Sequence, residues 1–263
     1  MFHGNDQYNS ASLRFYGSLN DFLPKKLRHK TIRYQFKGKP NIKDAIEAIG
    51  IPHPEVQLIL LEQTPIAFDS SLKPNSQISV FPFFYNLDVQ SIKLINIKPY
   101  KSLHFILDVH LGKLAKFLRF AGFDSLIFPN MDDNEIADIG ARDERIVLTR
   151  DIGLLKHKKI KYGYWLRSQI PEEQFKEVSL QFKIEKSALN PWLRCSICNG
   201  KIISVEKKLI SKNLELRTRK YYKEFYQCKN CGQIYWQGSH FKKMQDWLTE
   251  AMDYVSSELN RNI

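Results

Sequence analysis

The chain has 263 residues and a formal net charge of +12, and 43% of its residues are hydrophobic. That hydrophobic share supports packed cores and excludes a globally disordered chain. No apolar run approaches the roughly 20 residues that a membrane span needs, and the polar start MFHGNDQYNS lacks the apolar stretch of a signal peptide. We therefore expect a soluble, cytoplasmic protein without a membrane partner. The composition does not indicate an oligomeric state.

The basic excess grows toward the C-terminus. Lys and Arg outnumber Asp and Glu by 2 in residues 1–88, by 4 in residues 89–190 and by 6 in residues 191–263. Lys and Arg displace condensed counterions from nucleic acid, so this distribution favours RNA or another phosphate-rich partner. The alternative is a solvated basic surface that only aids solubility.

Residues 11–88 predict a small α+β domain. Four segments predict strands: SLRFYGSL, TIRYQFKG, VQLILLEQ and ISVFPFF. Between the second and third, NIKDAIEAIGI predicts a helix that Asn41 caps and Gly50 ends. This order resembles that of ubiquitin-like β-grasp domains. Carriers of that fold end in a flexible Gly-Gly, which VFPFFYNLDV lacks. We therefore expect a protein-interaction or packing role rather than carrier chemistry.

Residues 100–190 predict an α/β domain in which strands alternate with helices. The predicted strands are LHFILDV, DSLIFP, RIVLT and KYGYWL, and the predicted helices are LGKLAKFLRFAG, DDNEIADIGARDE and PEEQFKEVSLQF. Alternation of this kind indicates a parallel sheet with crossover helices. In such sheets the functional site lies outside the carboxyl ends of the strands.

All four cysteines fall in residues 191–245, before a predicted C-terminal helix that extends to residue 260. Two CxxC pairs, each followed closely by Gly, are typical of a zinc ribbon with a closed, structural four-thiolate site: Cys195, Cys198, Cys228 and Cys231. The 29 residues between the pairs predict long hairpin strands or an insertion. Redox pairs or structural disulfides are the alternatives, and an intracellular location argues against disulfides.

Several aspartates occupy the predicted carboxyl edge of the parallel sheet. Asp108 ends FILDV, Asp151 follows RIVLT, and Asp132 and Asp133 open the helix between them. Each could simply cap the helix that follows it. Carboxylates gathered at one edge would repel one another without a cation, and hard oxygen ligands suit Mg²⁺ or Mn²⁺. We therefore favour one catalytic acidic site over independent caps.

Basic side chains flank these aspartates. The helix after Asp108 has an apolar stripe, and its other side is predicted to project Lys113, Lys116 and Arg119. Arg150 lies beside Asp151 on the opposite flank. These four residues are candidate contacts to an RNA backbone, and a solvated charged face is the alternative.

The quoted segments, in order, resemble the Mut seven C-terminal ribonuclease domain, a PIN-like nuclease fold with a zinc ribbon. The resemblance rests on FILDVHLGKLAKFLRFAGFDS, DDNEIADIGARDERIVLTRDIGLL, RCSICNGKI and QCKNCGQIYWQGSH, and it spans about residues 103–240. Residues 11–85 look like the ubiquitin-like domain often fused in front of it. The resemblance implies metal-dependent RNase activity. It matches Asp108, Asp133 (with Asp132 as its rival) and Asp151 to the acidic positions. IGLLKHKK offers no fourth acidic residue, which suggests one ion rather than two, or weak activity.

Two functions remain open at this point. One is a metal-dependent endoribonuclease. The other is a non-catalytic RNA- or ribosome-binding protein that uses ribbon aromatics: Tyr221, Tyr222, Tyr226, Tyr235 and Trp236. Of these we expect Tyr235 and Trp236 to be ribbon core. An aspartyl-phosphate phosphatase would need a second Asp at position 110, where the chain has His110. The sequence identifies neither the RNA substrate nor an endo or exo mode.

Overall fold

The computed structural model describes residues 8–83 and 102–261. They divide into two compact units. The first combines the N-terminal residues with Asp151–Trp165, and the second comprises Ser102–Arg150 and the chain from Leu166 onward. The predicted domain limits at residues 88 and 100 lie outside the described residues. Of the helices described, none combines the length and apolar character that a membrane crossing requires.

The first unit has the predicted β-grasp architecture. Its five strands are β1 (Asn9–Phe15), β2 (Thr31–Phe36), β3 (Leu58–Leu61), β4 (Thr64–Pro65) and β5 (Gln77–Phe81). They form one sheet in the order β2-β1-β5-β3-β4. The central strands β1 and β5 are parallel, whereas β1–β2 and β3–β5 are antiparallel. Helix α1 (Ile42–Ile49) follows β2. The α+β prediction is therefore confirmed.

Local sequence explains the limits of these elements. The Asn41 side chain accepts the Asp44 N–H at 2.8 Å and so caps α1, as predicted. Alternation along β1 buries Leu13 and Phe15 in the core. The predicted first strand, residues 12–19, was displaced, because β1 begins at Asn9 and ends at Phe15. Gly17 has φ 51° and opens a 3₁₀ helix, Gly17–Phe22, because only glycine adopts that backbone without strain.

The second unit begins with a parallel sheet. Strand β6 (Phe105–Leu107) pairs in parallel with both β7 (Ser125–Leu126) and β8 (Ile146–Thr149). Crossover helices connect them: α2 (Gly112–Phe120) and α3 (Asp133–Arg142). All residues of β6 and β8 are buried, as expected for a sheet covered on both faces. The α/β prediction is confirmed.

Residues Asp151–Trp165 belong to the first unit. They contain helix α4 (Ile152–Leu155) and strand β9 (Gly163–Trp165). Two buried polar side chains of the N-terminal part hold this segment. His53 Nε2 lies 2.7 Å from the Ile160 carbonyl oxygen, and Glu55 Oε1 accepts the Trp165 N–H at 2.6 Å. The ubiquitin-like unit is therefore assembled from two separate stretches of chain.

The rest of the second unit contains helix α5, the cysteine-bearing ribbon and a long final helix. Helix α5 is Pro171–Gln181. The ribbon sheet has the order β10-β11-β12, with β10 (Ile202–Val205), β11 (Phe225–Cys228) and β12 (Ile234–Tyr235). Two short helices, α6 (Lys207–Ile210) and α7 (Leu216–Tyr221), lie between β10 and β11. The long spacing between the CxxC pairs is therefore an insertion. Helix α8 (Ser239–Arg261) agrees with the predicted C-terminal helix and packs Trp247 against Phe175 of α5.

Candidate functional site

The four cysteines form one cluster. Their Sγ atoms all lie within 4.8 Å of one another. The Sγ atoms of Cys195 and Cys231 are 3.6 Å apart, and those of Cys198 and Cys228 are 3.4 Å apart. A disulfide requires about 2 Å, so these are free thiols. Four sulfurs each about 2.3 Å from a tetrahedral ion stand about 3.8 Å apart. The cluster therefore fits a zinc ion.

Backbone turns bring the thiols together. The Cys195 N–H donates to the Gly200 carbonyl at 2.8 Å, and the Cys228 N–H donates to the Gln233 carbonyl at 2.9 Å. A Cβ on Gly200 would approach the Cys228 Sγ to 2.9 Å, so only glycine fits there. Gly232 has φ 74°, which also favours glycine. Each knuckle thus needs the Gly that follows its cysteine pair.

The Cys228 thiol is prepared to ionise. It is buried, and burial raises its pKa. Hydrogen bonds from the backbone N–H groups of Cys231 and Asn230, together with those from the Cys198 and Cys231 thiols, outweigh that effect and lower the pKa of Cys228 to about 7. The Asn230 N–H lies 3.4 Å from its Sγ. A metal ligand must be a thiolate, so this environment suits coordination.

Arg119 joins the first cysteine knuckle to helix α2. Its Nη1 donates to the Ile197 carbonyl at 2.8 Å and to the Ser196 carbonyl at 3.3 Å, and its Nε donates to the Ser125 carbonyl at 2.8 Å. Only 4% of Arg119 is exposed. The prediction that it projects to solvent with Lys113 and Lys116 is wrong, because the ribbon covers it. Burial lowers the pKa of Arg119, while the neighbouring cysteine, Asp124 and Tyr235 groups oppose that shift.

A partly buried ion-pair network lies beside Arg119. Asp124 Oδ1 is 2.8 Å from Arg145 Nη1, and its Oδ2 is 3.0 Å from Arg194 Nη2. Asn199 donates to Asp124 Oδ1 at 2.8 Å and accepts the Ser125 N–H at 3.0 Å. Burial raises the pKa of Asp124, but hydrogen bonds from Arg145 and Asn199 and the charges of both arginines lower it overall. Through these contacts, Arg194 and Asn199 of the ribbon bind to Asp124 and Ser125 of the parallel-sheet region.

Asp108 directly follows β6 and is partly buried. Its Oδ2 accepts the Thr149 hydroxyl at 3.0 Å, and its Oδ1 accepts the His110 N–H at 3.3 Å. Thr149 is the last residue of β8 and is fully buried. Thr149 was not among the residues predicted from the sequence, although its place in the LTRD segment was the available signal. Asp108 therefore lies at the carboxyl end of its strand, as predicted, with its carboxylate oriented by a neighbouring strand.

The remaining aspartates all begin helices. Asp132 caps α3 through a reciprocal capping box with Glu135, with hydrogen bonds of 2.8 and 3.0 Å. Asp133 is the first residue of α3, and Asp151 caps α4 by accepting the Gly153 N–H at 2.6 Å. Asp132, Asp133 and Asp151 are exposed. Within residues 8–83 and 102–261, the cysteines are the only group of three or more His, Cys, Asp or Glu side chains placed so that they could hold one metal ion.

The other candidate RNA contacts are accessible to different degrees. Lys113 and Lys116 are exposed on α2, and Arg150 is partly exposed. In the ribbon, Trp236 packs against the cluster of Ile210, Leu214 and Phe225, which confirms the prediction that it contributes to the ribbon core. Tyr235 is half-buried, and its hydroxyl lies 3.0 Å from the Cys195 Sγ.

Two family models match the chain. The model described as Mut7-C RNAse domain matches residues 103–248, which is more than half of the chain. The chain belongs to the Mut7-C RNAse domain family. A second model, Mut7-C ubiquitin, matches residues 8–88. Comparison with curated proteins gives no match, and neither does comparison with solved structures.

The Mut7-C match bears directly on the site residues. The matched residues 103–248 include all four cysteines and the candidates Asp108, Asp132, Asp133 and Asp151. The Mut7-C identity confirms the resemblance drawn from the sequence, including the ubiquitin-like domain in front. This Mut7-C chain thus carries a ribonuclease-type domain. The roles of its individual aspartates stay predictions.

Proposed function

We propose that this chain is a metal-dependent ribonuclease that hydrolyses the phosphodiester bonds of RNA. The observation that carries the proposal is the match of residues 103–248 to the Mut7-C RNAse domain. The net charge of +12 agrees with a polyanionic substrate. We further propose endonucleolytic cleavage.

The proposed ligands for Mg²⁺ or Mn²⁺ are Asp108, Asp133 and Asp151. Their carboxylates are the hard oxygen donors that these ions prefer. Asp132 is the weaker candidate, because its side chain and backbone are committed to the capping box with Glu135. A bound ion of this type would lower the pKa of a bound water and offset charge developing on the phosphate.

The protein's own groups supply orientation and substrate contacts. The Thr149 hydroxyl fixes one oxygen of Asp108 and so limits rotation of that carboxylate. We assign Lys113, Lys116 and Arg150 to the RNA backbone, since their charges favour phosphate. Arg119 has no part in substrate binding in this proposal. The zinc ribbon is structural, because four thiolates leave no open coordination position.

Cleavage of a circular single-stranded RNA tests the proposal. The zinc-containing full chain is first dialysed free of Mg²⁺ and Mn²⁺, and each ion is then added back separately. We expect linear products only when an ion is present, since only an endonuclease opens a circle. Asp108→Asn is the matched inactive control. RNA that is bound but stays intact with either ion would instead favour a non-catalytic RNA-binding protein.

A further inference from the structure

A cavity of about 980 Å³ lies in the second unit, and neither Asp108 nor Asp133 is among its lining residues. Its walls come from helix α2, the cysteine ribbon, helix α7 and the first turns of α8. We call it the aromatic cleft. Its volume is at the upper end of the range of small-molecule sites, so it is large enough to hold a nucleotide.

The ionisable side chains that line the aromatic cleft include basic groups and no carboxylate. Its lining includes Lys116, Arg194, Arg217 and His240, and none of its lining residues is Asp or Glu. Arg194 is already paired with Asp124, whereas Arg217 is exposed on α7. The cleft therefore presents positive charge without a carboxylate to oppose an incoming phosphate.

The aromatic residues of the cleft fall into two groups. Trp192 belongs to the framework, because its ring stacks on Tyr226 at 4.8 Å and on Phe241 at 4.3 Å. Tyr221 is different, since 71% of it is exposed at the edge of the cleft. Tyr222 also lines the cleft and is partly exposed. A firmly packed wall thus carries an accessible tyrosine ring, with Lys220 Nζ 5.7 Å from its centroid and Arg217 four residues earlier on the same helix.

We propose that the aromatic cleft binds an unstacked base of single-stranded RNA, with Tyr221 stacking on the base and Arg217 contacting the adjoining phosphate. The inference deepens the proposed ribonuclease function and rests on it for the choice of RNA. Aromatic platforms beside basic groups are the common means of holding single strands. Duplex RNA keeps its bases stacked inside the helix, so it cannot offer one to this cleft.

Fluorescence anisotropy with a labelled single-stranded RNA and its duplex form tests the inference. Binding is measured on the full chain carrying Asp108→Asn, so that cleavage does not interfere. Tyr221→Ala should weaken single-strand binding about 5- to 150-fold and leave duplex binding unchanged. Tyr221→Phe should bind single strands about as well as the unsubstituted protein, because it keeps the aromatic ring. Tyr254→Ala is the matched control, since Tyr254 is exposed on α8 and does not line the cleft.

A second pair of variants tests the phosphate contact. Arg217→Gln should weaken single-strand binding and reduce the salt dependence by about 0.7 in the log–log slope. Arg219→Gln makes the same charge change on the same helix at a residue outside the cleft lining, and it should have less effect. Equal losses within either matched pair, or an equal loss of duplex binding, would overturn the inference.

The two proposals can fail separately. The protein could leave RNA intact with Mg²⁺ and Mn²⁺ and still show the Tyr221-dependent preference for single strands. In that case the ribonuclease proposal fails, and the proposal that the aromatic cleft binds an RNA base is supported. If it cuts RNA and Tyr221→Ala binds single strands normally, the cleft proposal alone fails.

Discussion

Thr149 and Asp108 are joined by a hydrogen bond of 3.0 Å between neighbouring parallel strands. Thr149 ends β8, and Asp108 directly follows β6. The threonine hydroxyl donates to Oδ2, so it holds the carboxylate in one orientation while leaving its charge in place. In the proposed site Asp108 is a metal ligand, and a group that orients such a ligand affects activity without touching the substrate.

Thr149→Val should lower RNA cleavage by about 10- to 100-fold, because the hydroxyl that orients Asp108 is lost while side-chain shape is kept. Single-turnover cleavage with saturating RNA and a titration of Mn²⁺ measures the effect. Thr149→Ser is the matched control, since it retains the hydroxyl and should cut RNA at a rate close to that of the wild type. A fully active valine variant would show that this hydrogen bond is only structural.

Asp151→Asn should abolish cleavage while the melting temperature stays level or rises. Asparagine caps a helix about as well as aspartate, so α4 should keep its cap. The amide lacks the charge that a hard cation requires. Differential scanning calorimetry and the cleavage assay together separate the two roles. Retained metal-dependent cleavage would return Asp151 to a capping role alone.

The purified chain should contain about one zinc per molecule, which elemental analysis measures. Cys198→Ala should release it and destabilise the ribbon, because zinc coordination supplies on the order of 10 kcal/mol of folding free energy. Hydrogen exchange should show lost protection in β10–β12 and near-normal protection in β1–β5. Folded protein without zinc would contradict the assignment.

Arg119→Gln should destabilise the protein by on the order of 3 kcal/mol, because buried carbonyls of the knuckle and of Ser125 lose their donor. Its RNA affinity under stabilising conditions should stay close to that of the wild type. Lys116→Gln makes the same charge change on the exposed side of α2 and should do the opposite, weakening RNA binding with little effect on stability. Urea unfolding measures the stability of the two variants, and fluorescence anisotropy measures their RNA affinity.

Asp124→Asn should reduce stability at neutral pH by on the order of 3 kcal/mol, since Arg145 and Arg194 lose the carboxylate that they share. The folded protein lowers the pKa of Asp124 below its ordinary value of 3.8, so the carboxylate's contribution is present above 3.8 and lost as pH falls below it. The difference in unfolding free energy between the two proteins should therefore hold steady down to about 3.8. A difference that narrows well above that pH would contradict this account.

Short sequence motifs predicted the features that depend on residues close together in the chain. Paired cysteines followed by glycine predicted the thiol cluster, and Asn41 was correctly predicted as the cap of α1. Arg119 was misplaced because its surroundings come from elsewhere in the chain. Its partners Ser196 and Ile197 are 77 and 78 residues away, and no helical periodicity on α2 could reveal them. The Asp124 network was missed for the same reason.

The first unit is built from two stretches of chain, and the ribosome synthesises them at different times. Residues 8–83 contain nearly all of its sheet, but the partners of His53 and Glu55 lie at Ile160 and Trp165. In a nascent chain that has exposed only its ubiquitin-like sequence, His53 and Glu55 lack these two partners and can hydrogen-bond to water until residue 165 has left the ribosome. The hydrophobic core of this unit lies within residues 11–80, so we expect it to form before the contacts to Ile160 and Trp165. Grafting residues 8–83 onto another protein would carry over that core without the hydrogen bonds to Ile160 and Trp165.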